Sequence, residues 1–104
     1  MAQIIWTEPA LLDLDAIAEY ITLDKPGAAM NLVRKVFSST DRLEQFPDTG
    51  GQPTELKATR YLDIIVTPCR IFYRIEAEKV YIIYVMRSEI TLRKYLLNAR
   101  EISS

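Results

Sequence analysis

CRIFYRIEAEKVYIIYVMR, residues 69–87, decides the fold. β-branched and aromatic residues fill both halves and charged residues interrupt them, so it reads as two strands joined by a tight turn near Glu78-Lys79. Arg70 and Arg74 alternate with Ile71, Tyr73 and Ile75. The two arginines therefore share one face, with Phe72 between them. A two-residue loop at 78–79 sets Tyr73 against Tyr84, Ile75 against Ile82 and Ile71 against Met86. That face is wholly apolar or aromatic and is the expected core side. The same register sets Phe72 opposite Val85 and Arg70 opposite Arg87 on the other face. Like charges directly opposite destabilise a sheet unless an anionic group lies between them. Any even loop keeps Arg70 and Arg87 together, whereas an odd loop or a bulge separates them. Two readings stay open here: arginines splayed into solvent, or a binding surface.

Working outward, RYLDIIVT (60–67) is β-branched enough for a third strand, and Pro68 after it marks a sheet edge or a bulge. DTGGQPTELKAT (48–59) holds two of the three glycines and Pro53, and reads as a functional loop or a mobile connection. Before it, Ala29, Leu32, Val33, Val36, Phe37, Thr40, Leu43 and Phe46 form the stripe of a helix that Pro26 begins and Pro47 stops. A helix of about five turns draws most of its stability from burying such a stripe. Leu11, Leu14, Ile17, Ala18 and Ile21 recur at helical spacing after Pro9, which fits a first turn. Asp24-Lys25-Pro26-Gly27 breaks the chain between the two, giving a helical hairpin. Asp13, Asp15 and Glu19 read as a solvated face. IIWT (4–7) reads as a first strand. Leu92, Tyr95 and Leu96 near the end suit a short helix or a loose tail.

The 104 residues suit one α+β domain over 1–104, with 49% hydrophobic and 26% charged residues. Net charge is -1, so only a local patch would attract nucleic acid. There is no histidine, which removes histidine triads, histidine acid–base work and histidine metal ligation. Cys69 is the single cysteine, so no internal disulfide forms and a zinc site is not expected. No metal or other cofactor is implied. MAQIIWTEPA lacks a secretory pattern, and no apolar run approaches the ~20 residues of a membrane span. A cytoplasmic protein without a membrane partner is expected.

The order strand, helical hairpin, Gly/Pro loop and three strands resembles the RelE/ParE superfamily of toxins from type II toxin–antitoxin systems. Local matches are DLDAIAEYI (13–21), the Pro-Gly-Ala-Ala start of the second helix, its LEQFPDTGG ending, CRIFYRI (69–75) and VMRSE (85–89). The resemblance implies an N-terminal strand and helical hairpin packed on one face of a small antiparallel sheet. It also implies a paired antitoxin, and a homodimer or a toxin–antitoxin heterotetramer. RelE-like members cut messenger RNA on the ribosome, while ParE-like members trap DNA gyrase on cleaved DNA.

By that resemblance Arg70 matches a catalytic arginine of the nucleases, Arg87 lies near their second, and Tyr95 sits a couple of residues beyond their tyrosine. Tyr61 and Asp63 stand where the nucleases carry lysines. Arg60-Tyr61-Leu62 matches the ParE-like pattern. RNA cleavage by the 2′-OH needs groups that take and give protons, and arginine stays protonated. The expected function is therefore a ParE-like inhibitor of DNA gyrase, causing growth arrest and neutralised by a cognate antitoxin. Arg60, Arg70, Phe72, Arg74 and Arg87 are the expected target or antitoxin contacts, with no catalytic residue. The alternatives are a ribosome-dependent mRNA endonuclease using Arg70, Arg87 and Tyr95, and a non-toxic binding module of the same fold.

Overall fold

Thr7 precedes the first helix, yet its hydroxyl does not cap it. That hydroxyl donates to the Ile82 carbonyl at 2.7 Å, pinning the first strand–helix junction to the sheet. The computed structural model describes residues 1–56, 59–88 and 100. Within these, β1 (Gln3–Trp6) leads to α1 (Glu8–Thr22) and α2 (Pro26–Asp41); β2 (Tyr61–Val66), β3 (Cys69–Glu76) and β4 (Lys79–Arg87) follow. Pro9 and Pro26 each stand in a first helical turn, where a missing N–H costs no bond.

The four strands run in the order β1-β4-β3-β2. β2, β3 and β4 are antiparallel as expected, but β1 pairs parallel with β4, Gln3 to Lys79 through Trp6 to Ile82. The sheet is therefore mixed. The helical crossover between β1 and the sheet is what permits a parallel pair, since a tight hairpin cannot. Pro68 lies between the edge strand β2 and β3, outside both ladders, as its missing donor requires.

Both helices lie on one face. Ala10 and Leu14 of α1, with Leu32 and Val36 of α2, pack in one cluster with Ile71, Tyr73, Val80, Ile82 and Val85. Ile17, Ile21, Phe37 and Ile75 are partly buried against it. The second helix is shorter than its stripe suggested. It ends at Asp41, a 3-10 turn over Arg42–Glu44 carries Leu43 inward, and Phe46 is left 63% exposed.

The β3–β4 register differs from the expected one. The loop is Ala77-Glu78, with Glu76 opposite Lys79. Ala77 takes φ 56°, the left-handed conformation that such short loops need at their first position. A bulge then intervenes: Tyr73 faces Ile82 and Phe72 faces Tyr84, leaving Ile83 extra. Beyond it Arg70 faces Met86, and Arg87 faces Cys69. Tyr84 and Met86, expected on the helix side, lie instead with Ile83, Phe72 and Tyr61 in a second cluster on the opposite face.

Candidate functional site

The alternation of β3 puts Arg70, Phe72 and Arg74 on the face away from the helices, as the sequence indicates. That face is far from an open row of charge. Phe72 is 0% exposed and Arg74 9%. Phe72 meets Tyr84 edge-on at 6.4 Å between ring centroids. The Arg70 guanidinium lies over Phe72 at 4.8 Å, and that of Arg74 over Tyr81 at 4.1 Å. Each arginine thus adds a cation–π contact to the apolar burial of the rings.

Arg70 is held by two carboxylates. It donates Nη1 and Nη2 to Glu55 at 2.7 and 2.9 Å, a bidentate fork. It also donates Nη2 and Nε to Asp63 Oδ2 at 2.9 and 3.3 Å. The three side chains are only 12–16% exposed. Hydrogen bonds donated to Glu55, and then to Asp63, hold the guanidinium well above its ordinary range, outweighing burial. Arg74 pairs with the exposed Glu76 at 2.5 Å.

The 48–59 loop is fastened rather than free-standing where it is described. Gly51 and Asp63 exchange two backbone bonds of 2.9 Å, extending the β2 edge by one bridge. The Tyr73 hydroxyl donates to the Pro47 carbonyl at 2.7 Å and accepts from Gly50 N–H at 2.9 Å. A Cβ at Gly50 would stand 2.5 Å from that hydroxyl and 2.8 Å from the Asp63 carbonyl, so only glycine fits. Burial pushes the Tyr73 phenol above its ordinary 10.0.

The other sequence-derived candidates do not gather at Arg70. Arg87 is carried by the bulge to the helix side, where its guanidinium lies 5.8 Å from the Tyr20 ring centroid on α1. Arg60 is exposed beside Tyr61, 5.7 Å from its ring centroid. Tyr95, and the helical spacing of Leu92, Tyr95 and Leu96, lie outside the described residues. Glu55 was not singled out from the sequence. It sits in an aperiodic loop, and only its charge marked it.

Two solved toxin–antitoxin structures contain a chain of this fold. One is the chromosomal ParDE system of P. aeruginosa, with TM-score 0.72, 23% identity, 84% of this chain and 96% of that chain covered. The other is the RelBE2 complex of Mycobacterium tuberculosis, with TM-score 0.56, 20% identity, and 83% and 96% covered. Both share with this chain the fold alone, two helices packed against one face of a sheet. Residues 4–91 match the family described as "ParE toxin of type II toxin-antitoxin system, parDE". A Sinorhizobium fredii protein named as a toxin, Y4kP, is 38% identical over 86 residues, 83% of this chain and 88% of that protein. The toxin RelE2 of Caulobacter vibrioides is 34% identical over 85 residues, covering 82% and 93%. The chain belongs to the ParE toxin family of type II toxin–antitoxin systems, within the ParE/RelE superfamily.

Proposed function

We propose that this toxin acts in the cytoplasm as a non-catalytic inhibitor of DNA gyrase, neutralised by a cognate antitoxin. The observation that carries the reading is the enclosure of Arg70 by Glu55 and Asp63. A nuclease needs cations turned toward the scissile phosphate. Here the one arginine that the nuclease reading aligns best is matched by two carboxylates, and its aligned partner Arg87 lies across the sheet. Phosphate would meet net negative charge at Arg70. Arginine is also a poor proton acceptor. A relative named RelE2 keeps the mRNA endonuclease as the second reading. The two separate on Tyr95→Phe, which removes one phenolic proton and keeps the ring. A gyrase inhibitor carrying it stays toxic, with DNA-damage induction and intact messenger RNA. A nuclease using that phenol loses ~10²- to 10⁴-fold in rate.

An antitoxin partner is supported by the two toxin–antitoxin neighbours. A groove of about 330 Å³ between α1 and α2, lined by Ala18, Thr22, Ala29, Met30, Val33 and Arg34, suits the apolar side of an antitoxin helix. Met30 is 59% exposed there. Met30→Glu is expected to weaken antitoxin binding at least ~10-fold, read by titration calorimetry. Unchanged affinity would place the antitoxin elsewhere.

A further inference from the structure

β1 pairs with β4 only as far as Ile82, where Thr7 turns the chain into α1. Beyond that point no strand among the described residues pairs with the β1-side edge of β4. An ion pair takes the strand's place. Asp13, on α1, accepts the Val85 N–H through Oδ2 at 3.0 Å. Arg100 donates Nη1 to the Ile83 carbonyl at 3.3 Å. The two then join: Arg100 Nη2 donates to Asp13 Oδ1 at 2.8 Å and Nη1 to Asp13 Oδ2. The guanidinium carbon stands 3.7 Å from the centroid of the Tyr84 ring.

A carboxylate fork, a carbonyl and a π-face together match a planar guanidinium, and match the compact ammonium of lysine poorly. The bulge builds this geometry, because Ile83 and Tyr84 fall on the same face only where the ladder carries an extra residue. The Val85 N–H orients Asp13 without help from Arg100. We propose that Asp13, the Ile83 carbonyl and the Tyr84 ring form a preformed guanidinium receptor on the α1–β4 seam, and that its resident ligand is Arg100 of the same chain. Arg100 is held to the α1–β4 seam through that side chain.

The test is chemical rescue of Arg100→Ala, followed through the Val85 amide in ¹⁵N-correlation spectra. Removing Arg100 is expected to shift that resonance. Ethylguanidinium at non-denaturing concentration is expected to restore most of the shift saturably, and ethylammonium is not. Adding Asp13→Asn to Arg100→Ala is expected to abolish the rescue. Arg100→Lys, which keeps the positive charge, is expected to show the shifted position. Absence of saturable rescue, or equal rescue by ethylammonium, would overturn the receptor. A second arm mixes ¹⁵N-labelled Arg100→Ala with unlabelled Asp13→Asn. No recovery of the Val85 signal is expected, and recovery would overturn the same-chain assignment by showing that Arg100 arrives from a second copy.

Discussion

Phe72→Ala is expected to destabilise the toxin by ~3–5 kcal/mol, the range for emptying a fully buried aromatic site. From the sequence Phe72 is a contact residue between two arginines. In the structure it is 0% exposed, covered on one side by the Arg70 guanidinium and met edge-on by Tyr84. Truncation would remove the ring that both neighbours use and leave a cavity in the smaller of the two cores. Urea denaturation reads this as a lower midpoint at nearly constant slope. A loss below ~1 kcal/mol would mean that the ring is a surface group after all.

Arg70→Ala is expected to cost ~3 kcal/mol, because it strands two little-exposed carboxylates beside each other. Most of that cost is the unpaired charge rather than a lost attraction. Adding Glu55→Gln and Asp63→Asn to Arg70→Ala should therefore recover a large part of it. The same chemical-denaturation measurement decides this. If the triple variant is less stable than Arg70→Ala alone, the ion network contributes more through its hydrogen bonds than through charge balance. The comparison also bears on function, since an arginine that serves mainly to lock Glu55 to the sheet is not one waiting for phosphate.

The three long strands, the helical hairpin and the face of the two arginines were legible because each rests on a period that burial enforces. The bulge was not. Residues 80–86 are apolar or aromatic at every position, so either face accepts any of them and a slip of one residue meets no polar group to forbid it. That single residue separates Arg87 from Arg70 and moves Tyr84 and Met86 across the sheet. The parallel pairing of β1 was equally silent, since a four-residue apolar run carries no sign of its partner or direction. Phe46 continued the second helix's stripe on paper, but the backbone tightens after Asp41 and turns it outward. Glu55 and the Asp13–Arg100 pair depend on contacts 15 and 87 residues apart in the chain. No local spacing encodes these. The closed charge balance at Arg70 was therefore visible only in three dimensions.

The most direct measurement is to incubate the purified toxin with DNA gyrase, ATP and supercoiled plasmid, and to follow DNA topology after protein denaturation. Accumulation of linear, gyrase-cleaved DNA that an antitoxin suppresses is the predicted result. Unaltered gyrase activity, together with ribosome-dependent cuts in messenger RNA that vanish on Tyr95→Phe, would contradict it.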